Sequence, residues 1–272
     1  MFRLVEDLSA NPHVYLCLEP TTNRGWDDQL AKAYLELRGG SPSPLNEVIF
    51  DGVQILDVSE LRKTLLQATL PKRRDSNFDV VRSDFGELLS YLVLETRFST
   101  RFGYKQVRDR ETIQLPGRGI DAIGIEYGGD LNKLALILVE TKVSDESASP
   151  PQVVDKAPDS LRAQHRTHLN NHSETCRKIW DISRRALDQG VRDLLFAAAL
   201  YFEDERWDRV DLVCCCFLVR SSKVYQPSDF GTFRTSPNDY SPAFIRFLVM
   251  RIPGSIKDTV DTWYAKAIQQ VG

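Results

Sequence analysis

The sequence predicts a mixed α/β fold, a central sheet flanked by helices. Three observations carry that reading. Leu134 to Val139 is an unbroken apolar run of strand length, as expected for a strand buried on both faces. Phe85, Leu88, Leu89 and Leu92 recur at helical spacing. Beyond them, segments of helical and strand character succeed one another to the C-terminus, an order that suits helices packed on a mixed sheet.

Along the chain, residues 1–75 hold strand-like runs at Val48 to Phe50 and Val53 to Leu56, with helical stretches from Asp27 to Leu37 and from Ser59 to Leu70. They are read as an N-terminal subdomain of unknown role. The basic and polar run Pro71 to Asn77 is the boundary, and residues 76–272 form the second domain. The helix bearing the Phe85 stripe carries Glu87 off that stripe, with Tyr91 one turn on, so a solvated glutamate is an equal reading for it. Next comes a strand entered from the glycine-rich turn at Gly117 to Gly119, in which Ile120, Ala122 and Gly124 alternate against Asp121, Ile123 and Ile125. The short link Gly128 to Asn132 makes this strand and the Leu134 strand a hairpin.

Downstream, Ser144 to Asp159 holds three prolines among acids and serines and reads as a loop bordering the end of the preceding strand. A long helix from Ser160 to Leu187 and a further helix from Val191 to Phe202 follow. Strands are expected at Asp211 to Arg220 and Phe244 to Arg251, and a terminal helix at Ser255 to Gln269.

The chemistry concentrates where the apolar run ends, at Glu140, Thr141 and Lys142. Side chains alternate across a strand, so Glu140 and Lys142 leave one face and Thr141 the other. In an antiparallel hairpin of suitable register, Asp121 falls beside Glu140 or Lys142. Two carboxylates held close repel each other and favour a divalent cation with oxygen ligands, such as magnesium. A lysine beside them suits orientation of a water or offset of charge on a phosphate. Metal-assisted phosphodiester cleavage is the reaction this set fits. The bland reading is a surface salt bridge at a strand end, contributing less than about 1 kcal/mol.

An acid at the start of one strand followed by acid, spacer and lysine at the end of the next resembles the PD-(D/E)xK nuclease superfamily. More narrowly, Phe85-Gly86-Glu87 on a helix, Pro116 to Asp121, and Val139 to Lys142 are similar to the HamA effectors of Hachiman anti-phage defence. Glycine and isoleucine, not proline, precede Asp121, a departure the superfamily tolerates. The resemblance implies a restriction-endonuclease-like core of helix, three strands, helix and strand. It implies catalytic roles for Asp121, Glu140, Lys142 and Glu87, with Asp121, Glu140 and Glu87 as ligands of Mg2+, for which Mn2+ can substitute. It also implies a DNA substrate and a superfamily 2, HamB-like helicase partner in a heteromeric complex. No GxxxxGK[ST] loop occurs in this chain, so an ATP-driven step belongs to another polypeptide. The alternative is a catalytically idle nuclease-fold subunit that binds DNA or regulates a helicase. The retention of Asp121, Glu140 and Lys142 together favours the enzyme.

A second constellation competes. His165, His168, His172 and Cys176 share one face of the expected long helix. One straight helix cannot wrap four ligands around a zinc ion; two ligands from it plus others from elsewhere is the limit. Gln164 or His168 touching a substrate phosphate is a further use, and polar positions on a half-exposed helix the bland one. The sequence holds no G-x-S-x-G nucleophile motif.

Composition sets the bounds. The chain has 272 residues, 42% hydrophobic and 27% charged, with a net charge of −3. That charge argues against coating DNA through global positive potential, so contact must be local or lent by a partner. The local candidates are Arg97, Arg101, Lys105, Arg108, Arg110 and Arg118. The first residues are too acidic and too briefly apolar for a signal peptide, and no segment approaches the ~20 apolar residues of a membrane span, so a cytoplasmic location is expected. Among five cysteines, the consecutive Cys214 to Cys216 read as small apolar residues of a buried strand rather than as disulfides.

Overall fold

Long apolar runs of β-branched and leucine residues must be covered on both faces, and the chain does so with helices from both sides of one sheet. A computed structural model describes residues 1–21, 25–39, 47–50, 53–74, 78–110, 112–115, 119–127, 133–186 and 188–271. In chain order the elements are β1 (Phe2–Asp7), β2 (Val14–Pro20), α1 (Trp26–Gly39), β3 (Glu47–Phe50), β4 (Val53–Asp57) and α2 (Val58–Thr69). Then follow α3 (Phe78–Phe98), β5 (Arg101–Lys105), α4 (Gln106–Asp109), β6 (Ala122–Tyr127), β7 (Leu134–Ser144), α5 (Gln152–Asp155) and α6 (Leu161–Asn170). The chain continues with α7 (His172–Arg185), α8 (Gln189–Glu203), β8 (Val210–Ser221), α9 (Gly231–Thr235), β9 (Phe244–Ile252) and α10 (Ile256–Val271).

Seven strands form one mixed sheet in the order β1-β2-β9-β8-β7-β6-β5. Its centre, from β2 through β9 and β8 to β7, is parallel, and both margins are antiparallel. The succession α3, β5, β6, β7, then α6 to α8, then β8 agrees with the expected helix, three strands, helix and strand. β1 and β2 extend this same sheet from the N-terminus, and β3 with β4 makes a separate two-stranded hairpin. The turn at Gly117 and Arg118, the link Gly128 to Asn132, and the end of the Pro71 to Asn77 run lie outside the described residues.

Alternation along the strands sorts side chains into cores on either face. Ile137, Val139, Cys215 and Phe217 join α1, α3 and α10 in one cluster that includes Phe85 and Trp263. Leu136, Leu138, Ile123 and Cys214 face the other way, against Ile179 of α7 and Leu195 of α8. Cys216, Leu218 and Phe247 meet Leu161, Phe230 and Phe233 in a third cluster. Cys214, Cys215 and Cys216 are thus buried free thiols in β8, as their apolar surroundings in the sequence imply.

The expected single helix from Ser160 to Leu187 is two. Ser160 caps the start of α6, accepting a hydrogen bond from the Ala163 N–H at 3.3 Å. The helix stops at Asn171, whose φ of −100° and ψ of 60° leave the helical region. The Thr175 hydroxyl then donates to the carbonyl of His168 at 2.8 Å, taking up an acceptor that the break releases. As a consequence His165 and His168 sit on one helix, while His172 and Cys176 sit on another.

Close approach of α3 to β7 depends on Gly86, where an added Cβ would lie 2.6 Å from Val143 Cγ2 and 3.1 Å from Thr141 Cγ2. Alanine in a helix is favoured over glycine by about 1 kcal/mol, whereas forcing a methyl into a filled contact costs about 1 to 3 kcal/mol. Gly86→Ala is therefore expected to lower the unfolding free energy by about 1 kcal/mol, measured by urea denaturation. A stabilised variant would show that the helix is free to shift on the sheet.

Candidate active site

Antiparallel pairing of β6 with β7 sets Ala122 opposite Val139. One step further, the Asp121 N–H donates to the Val139 carbonyl at 3.2 Å, so Asp121 falls opposite Glu140. There β6 ends while β7 runs on to Ser144 beside β8. The ladder is left open on one side of Glu140, Thr141 and Lys142. Glu87 of α3, one residue after the glycine that lets the helix approach, is linked to the start of β6 through the Tyr91 hydroxyl, which meets both its carboxylate and the Asp121 carbonyl.

The three acids are held by different means. Asp121 Oδ2 accepts the Thr141 backbone N–H at 2.7 Å, and its own carbonyl accepts from Gln106 N–H at 2.8 Å and from the Tyr91 hydroxyl at 3.1 Å. Glu87 is not a solvated helix residue; it is 1% exposed, and its carboxylate accepts the hydroxyls of Ser83 at 3.0 Å and Tyr91 at 2.9 Å. Glu140 is fully buried, and its Oε1 lies 2.6 Å from His168 Nε2. Its Oε2 is equally enclosed yet has no partner. A buried carboxylate oxygen without a donor costs roughly 1 to 3 kcal/mol or more, so this atom is held for something.

The electrostatics agree with the crowding. Burial, then the charges of Asp121 and Asp84, push the Glu87 carboxyl well above the usual range, with Arg110 and the Tyr91 hydrogen bond opposing. Burial and then Glu140 raise Asp121, against the Thr141 N–H, Lys142 and Arg110. Burial raises Glu140, with Lys142 and Lys178 opposing and Glu87 adding to the rise. Burial, then the Lys178 charge, lowers His168 to about 4, so its imidazole stays neutral in the hydrogen bond to Glu140. Three acids that resist ionisation, one of them with an unpartnered oxygen, offer hard oxygen donors of the kind a divalent cation takes, although their oxygens do not all lie within 4.8 Å of one another.

Lys142 pairs with Asp159 at 2.9 Å, at the end of the loop that the sequence assigns to the border of this strand. Asp159 is 73% exposed, so the pair is wet and holds the ammonium by less than about 1 kcal/mol. The loop itself is fixed: the buried Arg220 guanidinium donates to the carbonyls of Ser144, Glu146 and Ala148 at 3.2, 2.8 and 3.0 Å and pairs with buried Asp229 at 2.9 Å.

The candidate basic contacts divide. The Arg110 side chain is only 3% exposed and shares Asp84 with Arg38, so it braces α3 rather than standing free at the surface. Arg101 pairs with Asp188, Lys105 with Glu95 and Arg108 with Asp109, while Arg97 is exposed. Arg118 lies outside the described residues. A residue that sequence reasoning missed is Lys178 of α7. Its charge acts on both Glu140 and His168, and with Arg108 and Arg185 it lines a pocket of about 380 Å3 that also touches Gly119 and Ile120. Its signal in the sequence is faint, since the break at Asn171 decides which way α7 points. Gln164 keeps a buried side-chain oxygen without a partner, and His165 is buried with neither ring nitrogen bonded.

A family model described as HamA matches residues 27–267, a span that contains every residue of this site. No curated protein matches the chain. No helix among the described residues is long and apolar enough to cross a membrane.

An acid whose pKa is higher in the folded than in the unfolded chain binds more protons when folded. Its contribution is therefore favourable at low pH and is lost as the pH rises from about 4 towards the raised native value. With chelator present, wild-type stability is expected to fall across that window, and Glu140→Gln to flatten the fall and gain stability near neutral pH. Urea titrations at several pH values measure this, and equal slopes in the two proteins would dismiss the crowding.

Proposed function

Because the chain belongs to the HamA family, and so is a Hachiman defence-associated protein, we propose that it is a metal-dependent DNA nuclease, the effector subunit of a complex with a helicase. The observation that carries this reading is the pairing of Asp121 opposite Glu140 at the open end of the β6–β7 ladder, with Glu140 Oε2 buried and unpartnered, Lys142 on the same strand and Glu87 linked to Asp121 through the Tyr91 hydroxyl.

In this reading Glu87, Asp121 and Glu140 hold Mg2+. When bound, such an ion lowers the pKa of a coordinated water and offsets charge on a phosphate. The protein's own groups do the positioning. His168 ties down Glu140 Oε1, which leaves Oε2 buried and free to take a ligand. The Thr141 N–H ties down Asp121 Oδ2, and Ser83 and Tyr91 orient Glu87. Lys142 Nζ exchanges its wet contact with Asp159 for the scissile phosphate and the attacking water, orienting one and countering charge on the other. Hydrolysis then joins the water oxygen to phosphorus and breaks the phosphorus–oxygen bond to the departing sugar, whose oxygen takes up a proton.

A nuclease must be restrained in a healthy cell, and a helicase partner supplies both the restraint and the ATP-driven step that this chain has no phosphate-binding loop to perform. Local cations such as Lys178 and Arg108 offer contacts to the DNA backbone that the net charge of −3 does not.

Supercoiled plasmid and linear duplex incubated with the purified chain, alone and with its co-purifying helicase and ATP, test the proposal. Magnesium-dependent cleavage is expected, abolished by chelator and reduced by about a hundred-fold or more in Glu140→Ala and in Lys142→Ala. Undiminished cleavage by both variants would place the chemistry elsewhere. Silence in every setting would make the chain a non-catalytic subunit.

A further inference from the structure

The nuclease site makes no use of His172, Cys176 or Glu203. The break at Asn171 makes His172 the first residue of α7, and Cys176 follows one turn later on the same face. Glu203 is the last residue of α8, the helix that packs along α7. One ring nitrogen of His172, the Cys176 sulfur and one Glu203 oxygen all lie within 4.8 Å of one another.

Two further observations point to a ligand. His172 Nε2 is buried and has no hydrogen-bond partner. Its ring cannot turn freely to find one, because it stacks on Phe202 with centroids 4.3 Å apart and planes 27° apart. Cys176 is buried, and the Glu203 carboxylate beside it is exposed to solvent. Two groups that repel each other when anionic, beside an imidazole nitrogen held idle, gain from a cation placed between them.

We propose that His172, Cys176 and Glu203 bind one divalent cation of the zinc class, with the fourth coordination position open. The donor chemistry selects the ion: imidazole, thiolate and carboxylate suit zinc, whereas magnesium prefers oxygen alone. The site therefore does not compete with Glu87, Asp121 and Glu140 for the same metal. A pocket of about 340 Å3, lined by His172, Phe202 and Trp207 among others, adjoins it and gives the open position room for water or a small ligand. The ion staples the first turn of α7 to the last turn of α8. Lys178, on the same helix as two of the ligands, is thereby held in register with Glu140.

Two of the ligands come from one helix at a spacing of four, and the third comes from a neighbouring helix. That arrangement needs the helix break, because α6 and α7 as one straight rod would have placed all four of His165, His168, His172 and Cys176 along a line. His168 is instead committed to Glu140.

The test uses the full chain, stripped with chelator and reloaded with Co2+, in a Glu140→Ala background so that the carboxylate site contributes nothing. One equivalent of cobalt with a thiolate-to-metal charge-transfer band in the near ultraviolet is expected, displaced stoichiometrically by Zn2+. Cys176→Ser is expected to abolish the band, and His172→Ala and Glu203→Gln to weaken cobalt binding by more than about ten-fold. Far-ultraviolet circular dichroism of each variant, matched to the stripped parent, shows that the loss is of binding and not of fold. No band, or a band that survives Cys176→Ser, overturns the proposal. The result is independent of DNA cleavage, so the nuclease reading stands or falls separately.

Discussion

Three carboxylates confined where water is scarce are the constraint around which this protein is arranged. Glu87 and Glu140 are buried, and to the burial that raises each acid a neighbour adds its charge: Asp121 on Glu87, Glu140 on Asp121 and Glu87 on Glu140. Bringing isolated carboxylates out of water costs several kcal/mol apiece unless charge or donors compensate. The surrounding side chains compensate only in part, through Ser83, Tyr91, the Thr141 N–H and His168. What they leave over is an oxygen with no donor, and that remainder is the feature a cation would use.

The scaffold holds this arrangement by fixing its supports in places that need no further adjustment. Arg38 and Arg110 share the buried Asp84, to which Tyr34 also donates at 2.6 Å. This ties α1 and the segment after α4 to α3, one turn before Glu87. Removing one partner of such a buried set typically costs about 3 to 5 kcal/mol, because the remaining charge is stranded. On the other side, Arg220 and Asp229 anchor the loop that carries Asp159 towards Lys142. Rigid supports at both ends leave the weak, exposed Lys142–Asp159 pair as the contact that a phosphate can displace.

Much of this was legible in the sequence because it depends on local period. The apolar run before Glu140 could only be a buried strand, and the alternation of a strand assigns Glu140 and Lys142 to one face. The stripe from Phe85 to Leu92 marked α3. Glu87 was harder, since its position off the stripe suits solvent as well as a site, and only tertiary packing decides that it is buried. Arg110 illustrates the reverse: a basic residue near the first strand reads as a surface contact until Asp84 and Arg38 are seen to enclose it. β1 was hard to see because its residues, Phe2 to Asp7, mix charged and apolar types without strict alternation, as suits a strand exposed at a sheet edge.

The sequence by itself determined the element types around the site, the pairing of acid and lysine on one strand face, and the family. These follow from spacing within a few residues, where backbone geometry leaves little choice. Tertiary structure alone decided the register that sets Asp121 opposite Glu140, the joining of β1 and β2 to the same sheet, and the break at Asn171. That break separates His168, which serves Glu140, from His172 and Cys176, which meet Glu203. Such outcomes depend on contacts between residues far apart in the chain, whose energies are settled by packing and by the disposal of buried charge, and no local pattern records them.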